Sequence, residues 1–125
     1  MFIYLGQPYT HPNSNVMRGR YERGRSFLAH LIKTLPSNTT VYSPITHWHT
    51  VSVDFCLPNE WEFWQSHCLS MLRASSALFV LKLPGWEESV GLTEEINAAQ
   101  QYNIPVEYHN WTKQKTVVAY NAKTK

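Results

Sequence analysis

Ala77-Leu78-Phe79-Val80-Leu81 runs through Lys82-Leu83 into Pro84-Gly85-Trp86-Glu87-Glu88-Ser89-Val90-Gly91-Leu92-Thr93-Glu94-Glu95. The five apolar residues form the short, unbroken run expected of a strand in a parallel sheet covered on both faces. Pro84 and Gly85 end it, and from Ser89 onward Leu92, Ile96 and Ala99 share one helical stripe. Ligands of open α/β sheets bind where such strands end, so Trp86 to Glu95 is an expected active-site loop. Of the two adjacent carboxylates, Glu95 lies beside the apolar stripe, while Glu94 points into water. A half-buried Glu95 is close enough to the core for its ionisation to be tuned, yet can reach a cleft. The same spacing also suits a boundary glutamate favoured by the helix dipole.

Outward from this stretch, strands and helices alternate. Phe2-Ile3-Tyr4-Leu5 is a strand that breaks at Gly6 and Pro8. Met17, Tyr21, Gly24, Leu28, Leu31, Ile32 and Leu35 recur at steps of three and four, which predicts an amphipathic helix ending before Pro36. Thr39 to Ser43 is a second strand, and the segment after Pro44, with His47, Trp48 and His49, is expected to be a long loop forming a second cleft wall. Asn59 and Glu62 have the spacing of a capping box for a helix whose apolar line is Trp61, Trp64, Cys68 and Leu72. Ile104 to Tyr108 is a fourth strand. Repeated crossovers predict an α/β, Rossmann-like parallel sheet of four to five strands with helices on both faces. The domain spans residues 1–110; residues 111–125 form a tail in which Thr116 to Tyr120 is an edge strand or a subunit contact.

The chain has 125 residues, 43% apolar and 16% charged, which suits one domain with its own core. A formal charge of +2 is too small for committed binding of duplex nucleic acid, although Arg18 and Arg20 could meet a phosphate. The start at Met1 leads straight into a strand, no apolar run approaches membrane-spanning length, and Cys56 and Cys68 are the only cysteines. A cytosolic, reduced protein with no membrane partner is expected. His47 and His49 have the spacing of two metal ligands, but no C-x-x-C or H-E-x-x-H accompanies them. No metal and no cofactor is expected; Trp48 is read instead as stacking on a base, with the imidazoles hydrogen-bonding to it.

The opening Tyr4-Leu5-Gly6-Gln7-Pro8-Tyr9, the pattern Ser89-x-Gly91-x-x-x-Glu95 and the segment from Ala98 to Val106 resemble the nucleoside 2-deoxyribosyltransferase superfamily, especially a branch of short phage and bacterial proteins of unassigned activity. The resemblance covers most of residues 2 to 108. It implies that Glu95 attacks the anomeric carbon of a nucleoside, as a carboxylate nucleophile does in retaining glycoside chemistry. It also implies a homodimer. In the superfamily the transferases carry Asp six residues before the Glu, and the nucleoside 5′-monophosphate N-glycosidases carry Ser; here the residue is Ser89. A hydroxyl with helix-start amides can hold a dianion, so Ser89 and Gly91 are expected at a phosphate. Ser89 is equally suited to be the helix N-cap.

One departure matters. An Asp in the preceding helix, which handles the sugar hydroxyl and the departing base, corresponds to Cys68, with His67 beside it as a possible substitute. The apolar line through Trp64 and Leu72 also fits Cys68 as plain core. The expected site therefore comprises Glu95 and His67 as catalytic groups, and Gly6, Pro8, Tyr9, Arg20, His47, Trp48, His49, Trp86, Ser89 and Gly91 as contacts to substrate. The expected ligand is a nucleoside monophosphate or related nucleotide. The expected activity is N-glycosidic cleavage or deoxyribosyl transfer, the rival being a non-catalytic, sequestering protein.

Overall fold

The computed structural model describes residues 1–112. Four strands, β1 (Phe2–Gly6), β2 (Thr40–Tyr42), β3 (Ala77–Leu81) and β4 (Val106–His109), form one parallel sheet in the order β2-β1-β3-β4. The α/β, Rossmann-like architecture is thus present. The helices are α1 (Ser14–Thr34), α2 (Pro44–Asp54), α3 (Trp61–Arg73) and α4 (Val90–Gln101), with one 3-10 turn at Trp86–Glu88.

The period-two alternation of β1 and β3 sorts their side chains into two cores. Ile3, Leu5, Ala77, Phe79 and Leu81 pack with Phe27 and Leu31 of α1. Tyr4, Leu78 and Val80 pack with Cys68 and Leu72 of α3 and with Leu92, Ala98 and Ala99 of α4. The chain leaves β1 toward β2 over one face and reaches β3 over the other. The strand order therefore reverses between β1 and β3, the place where doubly wound sheets open a crevice at the carboxyl ends of their strands.

Three local expectations are corrected. The segment with His47, Trp48 and His49 is helical: Ser43 accepts from the Thr46 N–H at 3.2 Å as N-cap, and Pro44 takes the first turn, where its missing N–H costs nothing. The capping box does not form, since α3 starts after Glu60 with no side-chain cap and Asn59 turns its amide toward Met17 Sδ at 3.6 Å. The fourth strand begins at Val106, with Ile104 buried ahead of it. Trp111 docks back on α1, its Nε1 donating to Ser26 Oγ at 3.0 Å. The expected edge strand from Thr116 to Tyr120 lies outside the described residues. Among those described, no helix is long and apolar enough to cross a membrane.

Two glycines of α1 differ in what they do. A Cβ on Gly24 would fall 1.9 Å from Gln7 Oε1, whereas nothing lies within 4 Å of one on Gly19. Gly24 makes room for the buried Gln7 side chain, whose Nε2 donates to the Arg20 carbonyl at 2.8 Å and so ties the end of β1 to α1. Gly24→Ala is expected to destabilise the fold by about 1–3 kcal/mol through overpacking. Gly19→Ala is expected to stabilise it by up to about 1 kcal/mol through helix propensity. Urea denaturation of both variants checks the contrast.

Candidate active site

Tyr4 and Gly6 project from β1 toward α4, and the absence of a side chain at Gly6 brings the helix close. A Cβ there would lie 3.0 Å from Leu92 Cδ1 and 3.2 Å from Glu95 Oε1. Glu95 is consequently buried, at 4% exposure, and not half-buried as its helical position suggests. The Tyr4 hydroxyl donates a short hydrogen bond to Glu95 Oε2. Burial raises the Glu95 carboxyl to about 8, and the Tyr4 hydrogen bond pulls in the opposite direction. Burial, followed by the neighbouring Glu95 charge, holds the Tyr4 phenol well above its ordinary range, so Tyr4 remains a donor.

Glu95 lines a cavity of about 310 Å³. The volume falls at the lower end of the range of small-molecule sites. Its walls come from the loop after β1 (Gln7, Tyr9, Thr10), from α2 (Pro44, Ile45, Trp48, His49, Ser52), from the start of α3 and from the start of α4. Trp48, Trp61 and Trp64 give it a strongly aromatic side, with the Trp48 and Trp64 rings 4.9 Å apart. Gly91 admits one of these rings: a Cβ there would be 3.0 Å from Trp61 Cε3. Glu60, Glu62 and Glu88 also border the cavity, and neither Lys nor Arg is among its lining residues.

The cavity brings together Tyr9, Trp48, His49, Ser89, Gly91 and Glu95 of the expected site. A 2.6 Å hydrogen bond joins the Tyr9 hydroxyl to His49 Nδ1, and the His49 ring stacks on Tyr21 at 4.1 Å. Burial lowers the His49 pKa, which keeps the ring neutral. Gly6 and the buried Pro8 lie behind the lining and shape it. Arg20 is a strut. Its Nη1 donates to the carbonyls of Tyr9 and Thr10, each at 3.2 Å, and its Nη2 to that of Pro84 at 3.1 Å, so the loops after β1 and β3 are held together and the guanidinium is spent on backbone.

Besides Gly6, Pro8 and Arg20, three further expected site residues fall outside the cavity lining. His67 is exposed, its ring against Trp48 and Trp64, and it is not among the lining residues that include Glu95. His47 is exposed and packs on Tyr42 and Trp48, so the two imidazoles of α2 diverge. Trp86 packs against the core and Tyr108. No group of three or more His, Cys, Asp or Glu capable of holding a metal occurs among the described residues.

Ser89 is the N-cap of α4, accepting from the Leu92 N–H at 3.3 Å. Besides Glu95, the cavity's lining includes three glutamates and neither Lys nor Arg, a charge balance unfavourable to an anion. Cys68 does both things expected of it: it lines the cavity and is buried, at 6% exposure. Burial and, after it, the Glu95 charge push its thiol up to about 12, so it stays neutral and does not replace a carboxylate. The residues that sequence reasoning left without a role are Tyr4, Gln7 and Trp61. The alternation of β1 carried a signal for Tyr4, since it stands on the same face as Gly6.

The buried Glu95 couples stability to pH. From the ordinary carboxyl value of 4.5 up to about 8, the native protein keeps a proton that the unfolded chain has released. This contribution is present in full below the lower value, is lost as pH rises through the window, and no longer changes above it. Glu95→Gln is expected to flatten the decline and to raise Tm relative to the parent at pH 8.5 but not at pH 4. Thermal melts across that range test it, and an unchanged slope would remove Glu95 as the group responsible.

No curated protein matches the chain. A family model described as a domain of unknown function, DUF1937, matches residues 1–111, which among the described residues include every strand, every helix and the whole lining of the cavity. The chain belongs to the DUF1937 family.

Proposed function

We propose that the protein cleaves, or transfers across, the N-glycosidic bond of a nucleoside-type ligand, with Glu95 as nucleophile. The observation that carries this reading is a single buried carboxyl, oriented by Tyr4, opening into an aromatic-walled cavity at the strand-order reversal. The base stacks among Trp48, Trp61 and Trp64, and the sugar lies toward Gln7, Tyr9 and Glu95. A Glu95 oxygen attacks C1′ as the C1′–N bond breaks with its electron pair going to the base; water or an acceptor base then resolves the glycosyl-enzyme. The proposal agrees with the resemblance to the nucleoside 2-deoxyribosyltransferase superfamily. A homodimer also belongs to the proposal: Val51, Val53 and Phe55 on α2 and its end, with Phe63 on α3, leave apolar surface exposed on the elements that wall the cavity.

A second reading is a nucleotide-sequestering protein without turnover. It is favoured by the neutral Cys68 where the resembled enzymes place a carboxylate. Ligand binding without release of free base would decide for it.

Two outcomes are expected if Glu95 is the nucleophile. Glu95→Gln should reduce base release by at least about 1,000-fold while Glu94→Gln, on the exposed face of α4, leaves it within about twofold. Because only the ionised carboxylate attacks, kcat/KM should rise about tenfold per pH unit below about 8 and level off above it. Chromatographic assay of free base across pH, for parent and both variants, provides the measurement.

A further inference from the structure

We propose that the ligand is a nucleoside without a 5′-phosphate whose base carries a positive charge, such as an N-alkylated pyridinium or an N7-alkylated purine. The inference rests on the reading of Glu95 as nucleophile and specifies its substrate class. Three independent features of the cavity select for a cation. Its aromatic side presents Trp48, Trp61 and Trp64, whose ring faces attract positive charge more than those of other side chains. Glu60, Glu62 and Glu88 add three formal negative charges among the lining residues, which include no Lys or Arg; Arg18, exposed on α1, acts on His49 from outside the lining. His49 is held neutral, and the Arg20 guanidinium is turned onto three backbone carbonyls. A 5′-phosphate dianion would enter against this field; a cationic base would be drawn in by it.

The same substrate class explains how cleavage proceeds with one carboxyl. A neutral purine or pyrimidine leaves as an anion unless an acid protonates it. The ionisable groups that interact with Glu95 are Tyr4, Cys68 and Tyr42, each held above its ordinary range by burial, and none of them is such an acid. A cationic base needs no proton. When Glu95 Oε bonds to C1′ and the C1′–N pair passes to the base nitrogen, the base departs neutral. Water then attacks C1′, the Glu95–C1′ ester bond breaks to regenerate the carboxylate, and the water's proton goes to solvent. The sum is cationic nucleoside plus water giving neutral base, free sugar and one proton.

The experiment separates ligand choice from catalysis. Binding is measured by calorimetry on Glu95→Gln with 7-methylguanosine, guanosine and 7-methylguanosine 5′-monophosphate. Expected is binding of 7-methylguanosine at least about tenfold tighter than either of the others. The preference should shrink in a Glu60→Gln, Glu62→Gln, Glu88→Gln background, all exposed positions whose replacement leaves the core intact. The parent protein is then assayed with 7-methylguanosine and nicotinamide riboside in weak buffer, where one proton should be released per base freed. Equal or tighter binding of guanosine or the monophosphate, or no binding of 7-methylguanosine, overturns the inference. Base release from guanosine at the rate seen with 7-methylguanosine overturns it too while leaving the nucleophile in place. Preferential binding of 7-methylguanosine without any base release supports the ligand class and defeats the catalytic reading instead.

Discussion

The hydrogen bond from Tyr4 to Glu95 joins the central strand β1 to helix α4 inside the core, and the site is arranged around it. A carboxyl at that depth is tolerated only because it holds a partner and a proton. The partner is available because Tyr4 faces α4 from a strand buried on both sides. The distance is short enough because the next residue on that face is Gly6, where any side chain would meet Leu92 and Glu95. Strand, glycine and carboxyl therefore constrain one another. The burial that raises the Glu95 pKa also makes this residue a cost to native stability at neutral and alkaline pH, a pattern common where a fold sustains a functional group.

The cavity follows from the topology more than from any one motif. Reversal of strand order between β1 and β3 opens a crevice at the carboxyl ends of the strands. The connection from β2 to β3, carrying α2 and the start of α3, supplies the aromatic side of that crevice, and Arg20 ties the loops after β1 and β3 into a fixed rim. A rim held by backbone carbonyls differs from one built to receive a phosphate. In this chain the guanidinium is structural and the charges left among the lining residues are acidic. The proposed preference for a cationic base is a consequence of that distribution.

The parallel sheet, its four strands, the long first helix and the placement of Glu95 near the apolar stripe of α4 were legible in the sequence, because each depends on local periodicity. Unbroken apolar runs in β3 and helical steps in α1 and α4 specify which faces are buried without knowledge of neighbours. The helix at Pro44–Asp54 was missed because its stability comes from Ser43 capping, Pro44 in the first turn and packing against α1 and β1, while the run of histidine, tryptophan and threonine carries no clear stripe. The capping box failed for the complementary reason: Asn59 and Glu62 have the right spacing, but α3 begins one residue later than that spacing requires.

What the sequence determined by itself was the class of fold and the small set of polar residues near strand ends, since periodicity and turn chemistry are properties of short segments. Tertiary structure decided which of those residues meet. Residues as distant in the chain as Tyr4 and Glu95 become partners across two elements; His67 is only one residue from Cys68, yet α3 turns it outward while Cys68 faces the cavity. Charge at the site was likewise a tertiary property. A chain with a formal surplus of positive charge presents a cavity whose lining includes glutamates but no Lys or Arg, because Arg20, Arg23 and Arg25 on α1 are turned to backbone carbonyls or a surface pair, while Glu60 and Glu62 at the start of α3 and Glu88 in the 3-10 turn border the same cavity.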